Sequence, residues 1–244
     1  MQQDLVRLEK WSQDWQMQLN SQKCSVLHLG KDNPCSEYTL YGTRLKSAEK
    51  ERDLGIIVDK TLKFSEQCNV AANNANKTLG LIKRNIVSRN RNIIIKLYKA
   101  LVRPKLEYSV QAWRPFLQKD ISKLERVQHR ATKIIDGCKG LSYEGRLRVT
   151  GLSTLEDRRR RGDTIEVYKT LRGKNNMDYS KFFRLAEYDK TRGHSLKLEK
   201  TRSRLEIRKN FFSQRVVNEW NKLPQDVIDS ASVNMFKNRY DIVV

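Results

Sequence analysis

This sequence predicts an α+β fold that is mostly α. A small helix-plus-strands layer leads into a bundle of helices and then a mixed C-terminal region carrying a basic hairpin. Three observations point there. Short alternating segments bounded by turn residues fill residues 1–62, whereas apolar residues recur at helical spacing from Ser65 onward. Charge shifts at the same place: residues 1–62 hold nine Lys/Arg and nine Asp/Glu, residues 63–140 seventeen against five, and residues 141–244 twenty-three against fourteen. A hydrophobic share of 38% over 244 residues supports a real core, which the 32% of charged residues keeps modest. Three regions are expected: 1–62, 63–140 and 141–244.

The elements follow in order. Leu5, Leu8, Trp11 or Ser12, Trp15 and Leu19 share a face and predict a helix over 2–19. Its two tryptophans imply broad packing. Val26–Leu29 reads as a short strand ending at Gly30. Tyr38–Tyr41 and Arg44–Leu45 read as a hairpin turning at Gly42-Thr43, and Leu54–Val58 as a further strand. So thin a layer struggles to bury both of its faces alone.

Cys68, Ala71 or Ala72, Ala75, Leu79, Ile82 and Ile86 predict a helix over 65–86, whose alanines allow close approach by a neighbour. Ile94, Leu97 and Leu101 point inward from a second helix over 90–103, kinked or interrupted at Pro104 and resuming to about Trp113. A third spans 119–138, its core stripe being Ile121, Leu124, Val127, Ala131, Ile134 or Ile135, and Cys138. Ser153 and Glu156 have capping-box spacing and open a helix to about Leu171, closed by Gly173. Gly162 within it leaves a gap for a neighbouring backbone. Leu196 and Leu198, then Leu205 and Ile207, alternate with polar residues and predict the hairpin, with its turn near Thr201–Ser203. Phe212, Val216, Trp220 and Leu223 line a helix stopped by Pro224, and Ser232 caps a last one carrying Phe236 and Tyr240.

Several chemistries lack their residues. No Gly-rich phosphate loop, nucleophile elbow or paired-histidine zinc motif occurs. No Asp-Asp or Asp-x-Asp pair is present to converge on two metal ions. Asp53 and Asp59, read as flanking one strand, would stand about 20 Å apart. Cys24, Cys35, Cys68 and Cys138 are dispersed, so reduced intracellular thiols are expected, in nucleus or cytoplasm. His28, His129 and His194 read as a strand, a surface-helix and a loop residue. Asp4, Arg7, Glu9 and Lys10 break any apolar signal core, and no run of about 18 apolar residues is present to span a membrane.

The formal charge of +21 then directs attention to a polyanion, DNA or RNA. Lys119, Lys123, Arg126, Arg130 and Lys133 are spaced 4, 3, 4 and 3, on one helix face distinct from the core stripe. Over roughly 21 Å of helix they match a run of phosphates; a solvated basic face is the alternative. Arg158, Arg159, Arg160 and Arg161 form a second basic cluster.

"DLVRLEKWSQDWQMQLNSQKCSVLHLGK" (4–31) and "YTLYGTRLKSAEKERDLGIIVDKTLKFSEQC" (38–68) resemble the late palm of reverse transcriptases from non-LTR, jockey-like retrotransposons. "LYKALVRPKLEYSVQAWRP" (97–115), "LERVQHRATKII" (124–135) and "LSYEGRLRVTGLSTLEDRRRRGD" (141–163) look like the thumb and the region beyond it. "KTRGHSLKL" (190–198) and "FFSQRVVNEWNKLPQDVI" (211–228) look like the C-terminal tail.

The resemblance implies a fragment of an RNA-directed DNA polymerase that grips a primer–template duplex. Asp53, Leu54 and Gly55 would belong to a primer-grip-like hairpin; a plain core strand is the alternative for Leu54, Ile56 and Val58. The two-aspartate motif that holds catalytic Mg²⁺ in this family is absent. No catalytic residue and no cofactor is therefore expected in this chain, and the missing fingers and palm would be partners. A stand-alone nucleic-acid-binding module and a non-functional translated remnant are the competing readings.

Overall fold

In a computed structural model of the protein, which describes residues 1–30, 32–186 and 193–244, the first helix, α1 (Gln2–Asp14), ends before the expected Leu19. Gln16 takes a left-handed backbone (φ 52°), which stops the helix. The inward face is also displaced from the expected one. Gln2, Leu5, Glu9 and Ser12 turn toward the strands: the Gln2 amide donates to the Thr39 carbonyl (3.0 Å), and Glu9 accepts from the Tyr41 N–H (2.6 Å). Trp11 and Trp15, expected to pack broadly, are instead 46% and 67% exposed. Polar stitching at 2, 9 and 12 outcompetes the apolar stripe for the sheet side.

The chain divides into two compact units, Met1–Gln67 and Cys68–Val244. Within the first, six short strands form three two-stranded ribbons. β1 (Ser25–Leu27) pairs in parallel with β4 (Lys46–Ala48), with Val26 opposite Ser47. β2 (Thr39–Leu40) and β3 (Thr43–Arg44) are antiparallel around Tyr41-Gly42, one residue earlier than the expected turn. β5 (Lys50–Asp53) and β6 (Ile56–Asp59) are antiparallel around Leu54-Gly55. In both hairpins the two turn residues have positive φ (49° and 68°, 45° and 85°), the type I′ geometry that suits a right-handed strand twist. Leu54 is therefore not a strand residue; it sits at a hairpin tip, 82% exposed. Asp53 and Asp59 consequently lie on opposite strands, opposite Ile56 and Lys50 respectively, at the two ends of one ribbon rather than along one strand. The core here is small: Val26, Leu40 and Leu45, with Leu5, Leu19 and Tyr38 against them.

Helices build the second unit. α2 (Ser65–Asn85) buries Cys68, Ala71, Ala72, Ala75, Leu79 and Ile82, as the spacing predicts. α3 (Arg91–Leu97) continues through a π-helical turn (Tyr98–Val102) into α4 (Arg103–Glu107). The wider turn comes just before Pro104, whose ring and missing donor a regular helix does not accommodate. It also re-phases the face, so that Tyr98, Val102 and Leu106 are buried while Leu101, expected inside, is 48% exposed.

Ser109, in left-handed conformation (φ 50°), separates α4 from α5 (Val110–Trp113). α6 (Gln118–Lys133) buries Leu124, Val127 and Ala131, with Ile135 and Cys138 beyond its end. α7 (Tyr143–Thr150) precedes α8 (Leu155–Leu171). The cap of α8 is Thr154 with Asp157, one residue on from the expected pair: Thr154 Oγ1 accepts from the Asp157 N–H at 3.0 Å. A Cβ added at Gly162 would meet nothing within 4 Å among the described residues, so the glycine marks no close backbone approach.

The expected basic hairpin is not formed. Leu198 makes an antiparallel bridge to Leu185, and Glu206–Lys209 is a helical turn, α9. The Asn221 side chain takes the backbone of Leu198 on both sides (2.9 and 2.8 Å), replacing a partner strand. Lys190–Arg192 lie outside the described residues. α10 (Phe212–Arg215), α11 (Val217–Asn221), α12 (Gln225–Ile228) and α13 (Val233–Val243) complete the unit. Ser232 caps α13 as expected, accepting from the Met235 N–H at 3.1 Å. Trp220, Phe236, Tyr168 and Tyr240 anchor the core of this end, with Tyr168 and Phe236 stacked 4.3 Å apart. Cys68–Val244 is the second of the two compact units.

Candidate nucleic-acid interface

The five cations of α6 divide into three environments. Lys123 donates to Asn69 and Arg130 donates to Asn76 (2.9 Å), so both lean toward α2. These partners repeat at intervals of seven along both helices, and α2 and α6 therefore run side by side in the same direction. Lys119 and Arg126 are exposed, Arg126 resting against its own helix at the Ser122 carbonyl (3.3 Å). Arg130 and Lys133 line a groove of about 570 Å³ together with Lys83, Arg89 and Lys139.

No carboxylate lines this groove, and none of its five cations forms an ion pair among the described residues. Its floor is the apolar edge of Leu79, Gly80 and Ile134. Two causes place cations here. The ends of α2 and α6 carry partial negative charge, which draws basic residues into their last turns. Arg89 also satisfies the final carbonyls of α2, donating to Ile86 (2.7 Å) and Lys83 (2.9 Å). The ammonium groups of Lys83, Lys133 and Lys139 belong to exposed residues. Sequence reading reached Arg130 and Lys133 through helical spacing. It missed Lys83, Arg89 and Lys139, which come from two chain segments brought together by packing.

The arginine run behaves differently. Four consecutive helical residues point to four sides. Arg158 is paired with Glu107 (3.0 Å), Arg160 with Glu156 (2.9 Å) and Arg161 with Asp241 (2.7 Å). Arg159 is 1% exposed, and burial lowers its pKa. The run is therefore largely neutralised or interior, and it forms no common face with the groove. Asp53, Leu54 and Gly55 occupy the tip of the β5–β6 hairpin.

Behind α6 lies a buried polar network. Tyr98 donates to Gln128 (2.7 Å), Gln128 donates to Tyr143 (2.9 Å) and to the Ser153 carbonyl (3.0 Å), and Glu125 accepts from Tyr143 and from the Leu155 N–H (3.0 Å). Burial raises the Glu125 pKa, while the Tyr143 hydroxyl works against that shift. This network fixes α6 against α7 and α8 and holds the basic face outward. His129, expected on the surface, is half-buried and stacked on Tyr143 with centroids 3.4 Å apart. His194, expected in a loop, is buried with Nε2 2.9 Å from the Trp220 carbonyl. The Cys68 thiol is pushed up to about 12 by burial and by the Asp120 charge, which makes it an inert packing group.

No group of three or more His, Cys, Asp or Glu side chains is placed to hold a metal ion among the described residues. The separation of Asp53 and Asp59 likewise does not fit the two-metal chemistry of polymerases. Among the described residues no helix is long and apolar enough to cross a membrane.

Comparison with known proteins gives a distant relationship. The chain is 23% identical over 141 residues to the RNA-directed DNA polymerase from mobile element jockey of Drosophila funebris, and 22% identical over 141 residues to that of Drosophila melanogaster. Each match covers 56% of this chain and 15% of the relative, so the chain spans a small part of their length. No family model matches the chain, and no solved structure matches it.

Proposed function

We propose that this chain is the late-palm and thumb portion of a reverse transcriptase from a jockey-like element, and that its helical unit binds nucleic acid along the α2–α6 groove. One observation carries the reading: five cations from separate segments converge on a groove lined by no carboxylate among the described residues. Such contacts go to phosphates and are independent of sequence. The distant relationship to jockey polymerases makes a primer–template duplex the natural ligand. The Leu54-Gly55 turn would then serve the primer end. Bond formation is assigned to carboxylates outside this chain, because the sequence has no two-aspartate motif and no metal-holding carboxylate group occurs among the described residues.

Two measurements test this. Binding of a labelled RNA–DNA hybrid is expected to weaken with salt, at a log–log slope of roughly −4. Lys83→Glu with Lys133→Glu is expected to make that slope shallower by about 2 and to weaken binding to RNA and DNA duplexes of any sequence. An unchanged slope removes the groove from the reading. Second, the purified chain is expected not to extend a primed RNA template in Mg²⁺ or Mn²⁺; incorporation of nucleotides would place catalytic groups within it.

A further inference from the structure

The α2–α6 groove offers charge without aromatic faces. Elsewhere in the second unit the reverse combination occurs. A cleft of about 450 Å³ is lined by Met177, Phe182, Phe183, Phe211 and Phe212, together with Glu166, which Lys169 pairs at 3.3 Å; Phe182 is 40% and Phe211 48% exposed. Three of these rings form a continuous series: Phe182 lies 6.4 Å from Phe183, and Phe183 lies 5.8 Å from Phe212, between centroids. Arg208 sits over one face of Phe211, 5.2 Å from the ring centroid, and places a cation against that ring.

Phe182 and Phe183 are also one wall of a second cleft, where Lys181, Arg184 and Arg208 face Glu199 as the one lining carboxylate among the described residues. A third cleft, reached across Gln214, adds Lys200, Arg202 and Lys209. An apolar aromatic pocket therefore opens directly onto a cationic path. Gln214, 5% exposed, lines both cationic clefts, and its Oε1 accepts no hydrogen bond among the described residues.

We infer that this surface binds single-stranded nucleic acid, with unpaired bases stacking on Phe182 and Phe211 while the adjoining arginines and lysines take the phosphates. Charge complementarity selects a polyanion, and exposed planar rings select one that carries its own planar groups every few ångströms. A duplex keeps its bases stacked on one another and has no use for the phenylalanines; an acidic peptide or an anionic lipid surface would use only the cations. Stacking on rings tolerates every base, so neither sequence preference nor a choice between RNA and DNA is built into it. The inference stands on residues outside the α2–α6 groove and does not depend on it.

The test uses the full chain, with fluorescent oligo-U and oligo-dT of ~12 nucleotides as ligands. Phe182→Ala with Phe211→Ala is expected to weaken both oligomers by roughly tenfold or more, while Phe182→Tyr with Phe211→Tyr retains them. Both rings are partly exposed, so the thermal midpoint of the alanine variant is expected to stay near the parent value. If the variant is destabilised, the tyrosine pair and Arg184→Glu with Arg208→Glu supply the same comparison on a folded chain. Duplex binding is expected to be unaffected by the phenylalanine changes. Single-strand binding that survives loss of both rings overturns the inference. Equal loss for duplex, or displacement of the oligomer by polyglutamate as readily as by unlabelled oligomer, does so too. Loss of oligo-dT binding alone, with oligo-U retained, also counts against it, because ring stacking serves both sugars.

Discussion

Arg159 illustrates how one residue's meaning depends on its surroundings. In sequence it is one of four equivalent arginines; in the fold it is interior, and neither terminal nitrogen has a hydrogen-bond partner among the described residues. A buried cation so poorly satisfied costs more in desolvation than it returns. Arg159→Met is therefore expected to be neutral or to stabilise the protein by up to about 2 kcal/mol, whereas Arg159→Glu is expected to cost more than about 3 kcal/mol, read by denaturant unfolding. The histidines make a second prediction. Burial lowers the pKa of His129, with Arg146 and Lys133 adding to the effect, and burial likewise lowers that of His194. A group whose folded pKa lies below its unfolded value of about 6.5 holds fewer protons when folded, so stability falls as pH drops through that range and is flat above it. Glu125, raised by burial, works the other way, losing its share as pH rises above about 4.5. The thermal midpoint of His129→Gln is accordingly expected to fall less than the parent's between pH 7 and pH 5; an equal fall would sink the assignment.

Elements differ in how visible they were beforehand. Helices α2, α6, α8 and α13 lie close to where apolar spacing and capping residues put them, because both signals are local and are repeated over several turns. The hairpin turns shifted by a residue or swallowed part of a strand, because an Xaa-Gly pair with two positive φ angles competes with the alternation that marks a strand. The β5–β6 turn shows the cost. Leu54 is a poor residue for φ 45°, and its side chain is 82% exposed. Leu54→Asn is expected to raise the stability of the Met1–Gln67 unit by on the order of 1 kcal/mol, seen as slower amide exchange in β5 and β6. No change there would mean that the type I′ geometry is not maintained in solution. The C-terminal hairpin failed for another reason. Its alternating leucines are satisfied separately, Leu198 by Leu185 and by Asn221, with nothing to bring the Leu205 segment alongside.

Across the whole molecule, charge is the property that ties sequence to the proposed function. The excess in residues 63–244 was plain from composition, but composition does not say which cations share a surface. Packing neutralised Arg158 and Arg161 with carboxylates distant in the chain, left Arg160 to Glu156 on its own helix, and gathered Lys83, Arg89, Arg130, Lys133 and Lys139 where no carboxylate follows among the described residues. Raising the salt concentration is therefore expected to weaken hybrid binding in proportion to groove charge, while Arg161→Gln, which opens only the Asp241 pair, leaves the salt slope unchanged. A shallower slope in that variant would bring the arginine run back into the interface.

The residue order alone settled the mostly helical class, the buried stripe of α2, the neutral front and basic remainder, and the distant likeness to jockey polymerases, since each of these is written in neighbouring residues. It did not settle which side of α1 meets the strands, why Leu101 faces water, or which cations form a groove. Those outcomes turn on competition between contacts far apart in the chain: glutamine, glutamate and serine against tryptophan on α1, a π-helical turn re-phasing a face, and carboxylates reaching some arginines and not others. Local spacing assigns a residue to a face, and the partner that face finds gives it its role.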